Sequence, residues 1–106
     1  PSGTVLAQGA FNSLNGKTVT GNALIYSSSS GYYVLRLEGI SAPDEVGLEA
    51  SVYASGRTVY TTSLRYISGS QNYSFEASGI ATWNYVTIRS VPNNRDYGQA
   101  LLIDPR

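Results

Sequence analysis

The sequence predicts an all-β fold: one small antiparallel β-sandwich of about eight strands, jelly-roll-like. Three observations predict it. Tyr, Ser, Thr, Gly and Val are plentiful while charged residues make up only 13%, a mixture that favours half-buried strands over helices. Turn signals recur at roughly the spacing of a sandwich or barrel. No segment shows a convincing helical period, and no clean repeat is visible. The 106 residues fit a single domain, 1–106, whose folding buries roughly two-thirds of the surface the unfolded chain exposes.

The elements follow in order. A first strand runs from Thr4 to Phe11, and "NSLNG" turns the chain. A second strand spans Lys17 to Tyr26 and ends in the Ser-rich turn Ser27 to Gly31. In "YYVLRLE", Tyr33, Leu35 and Leu37 form the core-facing set. "GISAPD" reverses the chain, with Pro43 fixing φ and Asp44 placed to bond nearby backbone N–H groups. The fourth strand sets Val46, Leu48, Ala50 and Val52 on one face; Ser55-Gly56 then closes a hairpin into Arg57 to Tyr66. In "RYISGSQNYSF", Gly69 marks a tight turn wanting positive φ, after which Gln71, Tyr73 and Phe75 share one face. Trp83 to Ser90 follows, with Val86 and Ile88 inward, and Tyr97 to Ile103 ends the series.

Composition excludes much chemistry. There is no Cys and no His, so no disulfide framework, no Ser-His-Asp triad and no ordinary zinc or copper site. The expected cofactor complement is none. Formal net charge is zero, which gives no electrostatic case for nucleic acid or an anionic membrane as partner. No apolar run approaches the ~20 residues of a membrane span. Lys17, the only lysine, sits at a turn edge where a solvated side chain is expected. Glu38, Asp44, Glu45, Glu49, Glu76 and Asp96 are scattered among turns and outward positions, as solvation alone would place them, so an enzyme is not expected. Asp44 and Glu45 in one loop, with Asn94 and Asp96 in another, are weak calcium candidates set against plain turn chemistry.

The aromatics are the binding candidates. Tyr32, Tyr53, Trp83 and Tyr85 fall on or near outward positions, where rings stack on sugars, fill a protein interface or simply pair across strands. Gln71 is expected to satisfy loop backbone groups.

Across nearly its whole length the chain resembles the DM13 domain family. The pieces come in family order: Phe11 before "GKTVTGNALI" with Gly21, "APD" at Ala42 to Asp44, and "SLRYISGSQNYSF" with Gly69, Gln71 and Tyr73; "YVTIRS" and "YGQALL" close the series. The resemblance implies an extracellular β-domain, and for the family a redox or electron-transfer role resting on a cysteine. Ser90 stands at that position here, Lys17 stands where many members have histidine, and "EVGLEASVY" is longer than the family's strand. Serine cannot do thiol chemistry. The expected function is therefore a non-catalytic, extracytoplasmic module for binding, adhesion or display, with a protein or glycan ligand and neighbouring domains in a longer chain. The abrupt Pro1-Ser2-Gly3 start reads as a trimmed segment.

Overall fold

The computed structural model describes residues 4–29 and 31–105; the Pro1-Ser2-Gly3 start and Ser30 of the Ser-rich turn lie outside the described residues. Eight strands follow in order: β1 (Val5–Ser13), β2 (Thr20–Ser27), β3 (Tyr32–Ser41), β4 (Leu48–Ala54), β5 (Arg57–Ser63), β6 (Ser68–Glu76), β7 (Trp83–Ser90) and β8 (Arg95–Leu101). No helix occurs among the described residues.

All strands pair antiparallel in one sheet, in the order β5-β4-β7-β8-β1-β2-β3-β6. The sandwich is thus one curled sheet, nearly a barrel, and β1 joins its halves. Val5 to Ala10 pair with β2, whereas Phe11 to Ser13 pair with β8. Gly9 sits just before the switch. A Cβ there would lie 1.9 Å from the Leu101 carbonyl oxygen, so the crossing of β1 against the last strand requires glycine. Opposite β1, the end strands β5 and β6 meet through side chains: Tyr60 stacks on Phe75 with centroids 4.8 Å apart. Between the halves lies a single core built on Phe11, Val19, Ile25, Leu35, Leu37, Val52, Tyr73, Val86, Ile88 and Tyr97.

Alternation explains most of this burial. Leu35 and Leu37, then Leu48, Ala50 and Val52, then Val86 and Ile88 are all buried, as period two requires. Val46 departs from it. The side chain is 87% exposed, not in the core. The ladder with β7 begins only at Leu48 facing Ser90, so Val46 belongs to the preceding loop. Lys17 likewise precedes β2, and Leu64 to Tyr66 follow β5.

Gly69 has φ of +93° but is no tight turn: it lies inside β6, paired with Ile40. The reversal is made by residues 64–67 instead. The irregularity is on the neighbouring strand, where Glu38 and Gly39 together face Ser70. The Gly39 N–H donates to Ser70 Oγ at 3.0 Å. Gly21 backs this bulge; a Cβ there would lie 2.8 Å from the Gly39 oxygen and from Ile40 Cα.

Candidate functional site

Trp83 opens β7 at a second bulge. Tyr53 faces Tyr85, but Ala54 faces Trp83, which leaves Asn84 as the extra residue. The bulge turns Trp83 to the core side with the fully buried Ala54. Its indole meets the Tyr33 ring edge-on, centroids 5.0 Å apart at 74°, and Phe75 at 6.3 Å and 83°.

Around these rings is a cleft of about 420 Å³, lined by Leu6, Ala7, Tyr33, Ile80, Ala81, Thr82, Trp83, Leu102 and Asp104. Its loop wall is tied down. Ser55 Oγ accepts from Ala81 N–H at 2.8 Å and Thr82 N–H at 3.4 Å, and Ser55 N–H donates to the Thr82 carbonyl at 2.7 Å. Arg57 Nη2 donates to the Ser78 carbonyl at 2.7 Å. The β4–β5 turn therefore fixes the wall. The cleft exposes polar as well as apolar atoms, and a preformed concavity of this kind is where a small ligand can be held.

The other three rings lie elsewhere. Tyr53 and Tyr85 stack on each other on the outer face of the β4–β7 pair, centroids 4.4 Å apart at 26°. Tyr32, 47% exposed, faces Glu76 on the outer face of the other half. Of the four candidate rings, only Tyr53 and Tyr85 come together. The bulge at Asn84 sends Trp83 inward, and β1 separates the two halves.

The opposite end of the sheet holds a polar cluster. Lys17 Nζ lies 3.0 Å from Glu45 Oε2 and 5.3 Å from the Tyr97 ring centroid. The Tyr97 hydroxyl donates to Glu45 Oε1 at 2.7 Å, and Asn93 Nδ2 donates to the Tyr97 oxygen at 2.7 Å. The Tyr97 hydroxyl and then the Lys17 ammonium hold the Glu45 carboxyl below its ordinary range, against partial desolvation. Glu45 in turn raises the Lys17 ammonium, chiefly by that hydrogen bond. These residues stand 28 and 52 positions apart, so no local motif announces them. Ser90 is fully buried, and its hydroxyl accepts the Asn93 N–H at 3.2 Å.

The calcium candidates do not converge. Glu45 is engaged as described. Asn94 Oδ1 and Asp96 Oδ1 both accept from Arg89, the latter at 3.3 Å. Asp44 is exposed and makes no side-chain hydrogen bond among the described residues, contrary to its expected role. Its turn is closed instead by the Glu45 N–H bonding the Pro43 carbonyl at 2.9 Å. No group of three or more acidic residues capable of holding a metal occurs among the described residues.

Gln71 is 5% exposed and serves the loop at 64–67. Its Nε2 donates to the Tyr66 carbonyl at 2.8 Å, and its Oε1 accepts the Tyr66 N–H at 3.2 Å and the Tyr73 hydroxyl. The Tyr73 oxygen accepts the Arg65 N–H at 2.9 Å, while the Arg65 guanidinium lies over the Tyr73 ring at 4.3 Å.

No protein family, curated protein or solved structure matches this chain.

Proposed function

We propose that this domain is a non-catalytic binding module of an exported protein and takes its ligand in the Trp83 cleft. One observation carries the reading: two perpendicular aromatic rings border a preformed cleft whose loop wall is hydrogen-bonded in place. Such rings offer apolar faces and polar tips, and Thr82 and Asp104 add polar atoms at the margin. A ring-bearing neutral ligand, a glycan above all, matches that mixture. The DM13 resemblance and the Tyr-, Ser-, Thr- and Gly-rich composition support an extracytoplasmic setting, which the absence of Cys does not contradict. A thiol redox role finds no support, since the chain has no cysteine and serine cannot do thiol chemistry.

Trp83 is the only tryptophan, so fluorescence excited at the red edge, where the tyrosines do not absorb, reports this cleft alone. Titration with a glycan panel should give a saturable change in emission with at least one member. Tyr33→Ala and Ile80→Asp should abolish it without loss of the fold. No response across neutral glycans, or a response unaffected by both substitutions, would overturn the proposal.

A further inference from the structure

Strand directions alternate around the sheet, so its end strands β5 and β6 run antiparallel, yet no ladder joins them among the described residues. Each keeps one row of backbone N–H and C=O groups unpaired. Such a row is a template for another strand, and natural sheets guard it with charged side chains, Pro or β-bulges. On β5 such guards stand only at its start, the exposed Arg57 and the bulge at Val59; from Tyr60 to Ser63 it reads Tyr-Thr-Thr-Ser, regular, uncharged and free of Pro. The β6 side differs. Arg36 bonds Glu38 and Asn72 beside that edge at 2.9 and 3.2 Å, and Glu76 ends it.

We propose that β5 pairs with β5 of a second copy of this chain, antiparallel about a two-fold axis at Thr61. The free edge itself calls for extended backbone. Within the paired segment no like charges oppose each other, because residues 58–63 are uncharged. A two-fold interface needs only one patch, used by both partners.

The outer face fixes the register. Thr61 faces Ser51, their hydroxyl oxygens 3.0 Å apart. Ser51 faces Thr87, Thr87 faces Gln99, and Gln99 faces Asn12. A two-fold at Thr61 places Thr61 against its own copy and runs this polar row unbroken across the dimer. Cross-strand hydroxyl pairs of this kind stabilise sheets. The same register sets the inward Tyr60 against the inward Thr62 of the copy, so each side chain keeps its face.

The chain has no cysteine, which makes the test direct. In this register the two Thr61 Cα atoms stand roughly 4.5–5.5 Å apart, within disulfide reach. Under mild oxidation Thr61→Cys should run as a covalent dimer, while Ser74→Cys on β6 stays monomeric. Wild type should sediment as a dimer as concentration rises. Thr61→Lys should stay monomeric, with the wild-type far-UV spectrum and dilute melting temperature. Should Thr61→Lys fail to fold, Ser63→Lys on the same outer edge replaces it. A wild-type monomer at every concentration, equal cross-linking at both sites, or a dimer that survives the lysine substitution overturns the proposal.

Discussion

Gln71 holds the Tyr66 backbone at both ends of one residue, accepting its N–H at 3.2 Å and donating to its carbonyl at 2.8 Å. A primary amide carries its acceptor and its donor on separate atoms, so it can serve both groups of one residue at once. Gln71→Ala leaves two loop groups and the Tyr73 hydroxyl short of a partner in a buried setting. The domain should lose about 1–3 kcal/mol of unfolding free energy in urea. Gln71→Glu keeps the acceptors but removes the Nε2 donor, and should destabilise more at pH 7 than near pH 4. Full stability in Gln71→Ala would show that the 64–67 loop does not depend on this clamp.

Glu45 and Lys17 couple stability to pH at both ends of the range. Glu45 has its folded pKa below the ordinary 4.5, so its contribution is present above that value and is lost as pH falls through the folded pKa. Lys17 has its folded pKa above the ordinary 10.5. Its contribution is present below that value and is lost as pH rises through the folded pKa. The melting temperature should therefore fall on both limbs. Glu45→Gln should flatten part of the acid limb, and added salt should shrink the difference, because the pair is partly exposed. An acid limb identical in wild type and Glu45→Gln would refute this linkage.

Much of the fold was legible because alternation is a local signal. Trp83 to Ser90 matches β7 in full, and Gln71, Tyr73 and Phe75 are buried while Asn72, Ser74 and Glu76 are exposed. What stayed hidden depends on partners distant in sequence. The bulge at Asn84 exists only in the register with β4, and it decides that Trp83 faces inward while Tyr85 faces out. Gly69 signalled a turn because glycine marks turns and bulges alike. The cluster of Lys17, Glu45, Asn93 and Tyr97 joins three separate loops and the start of β8, and nothing in any one of them announces it. That β1 serves both halves follows from Gly9, whose role depends on where Leu101 passes.

Tyr53 and Tyr85 stack across β4 and β7 at 4.4 Å. If that contact is structural, a double-mutant cycle with Tyr53→Ser and Tyr85→Ser should return a coupling of about 0.5–1.5 kcal/mol, the usual worth of an aromatic pair. Glycan binding measured through Trp83 should be unchanged in both variants, since neither ring lines its cleft. Loss of binding in Tyr53→Ser at constant stability would instead move the site to the outer face.

Gly9 and Gly69 test two different reasons for glycine. Gly69 has φ of +93°, but no heavy atom lies within 4 Å of where its Cβ would be. Its substitution by Ala meets backbone strain alone. Gly9 has ordinary φ but no room: its Cβ would lie 1.9 Å from the Leu101 oxygen and 2.9 Å from the Leu101 carbonyl carbon. That neighbour is backbone and cannot rotate away, so β1 and the last strand must separate where β1 passes between the halves. Gly69→Ala should cost roughly 1–2 kcal/mol, as for an L-residue forced into a left-handed conformation. Gly9→Ala should cost more than ~4 kcal/mol, the range reserved for overpacking or the rupture of a buried network. Hydrogen exchange should locate the damage, with amides of β1 and of Leu102 and Ile103 losing protection in Gly9→Ala and those of β6 in Gly69→Ala. Equal losses, or protection retained along β1 in Gly9→Ala, would mean that the two halves are not held together at this crossing.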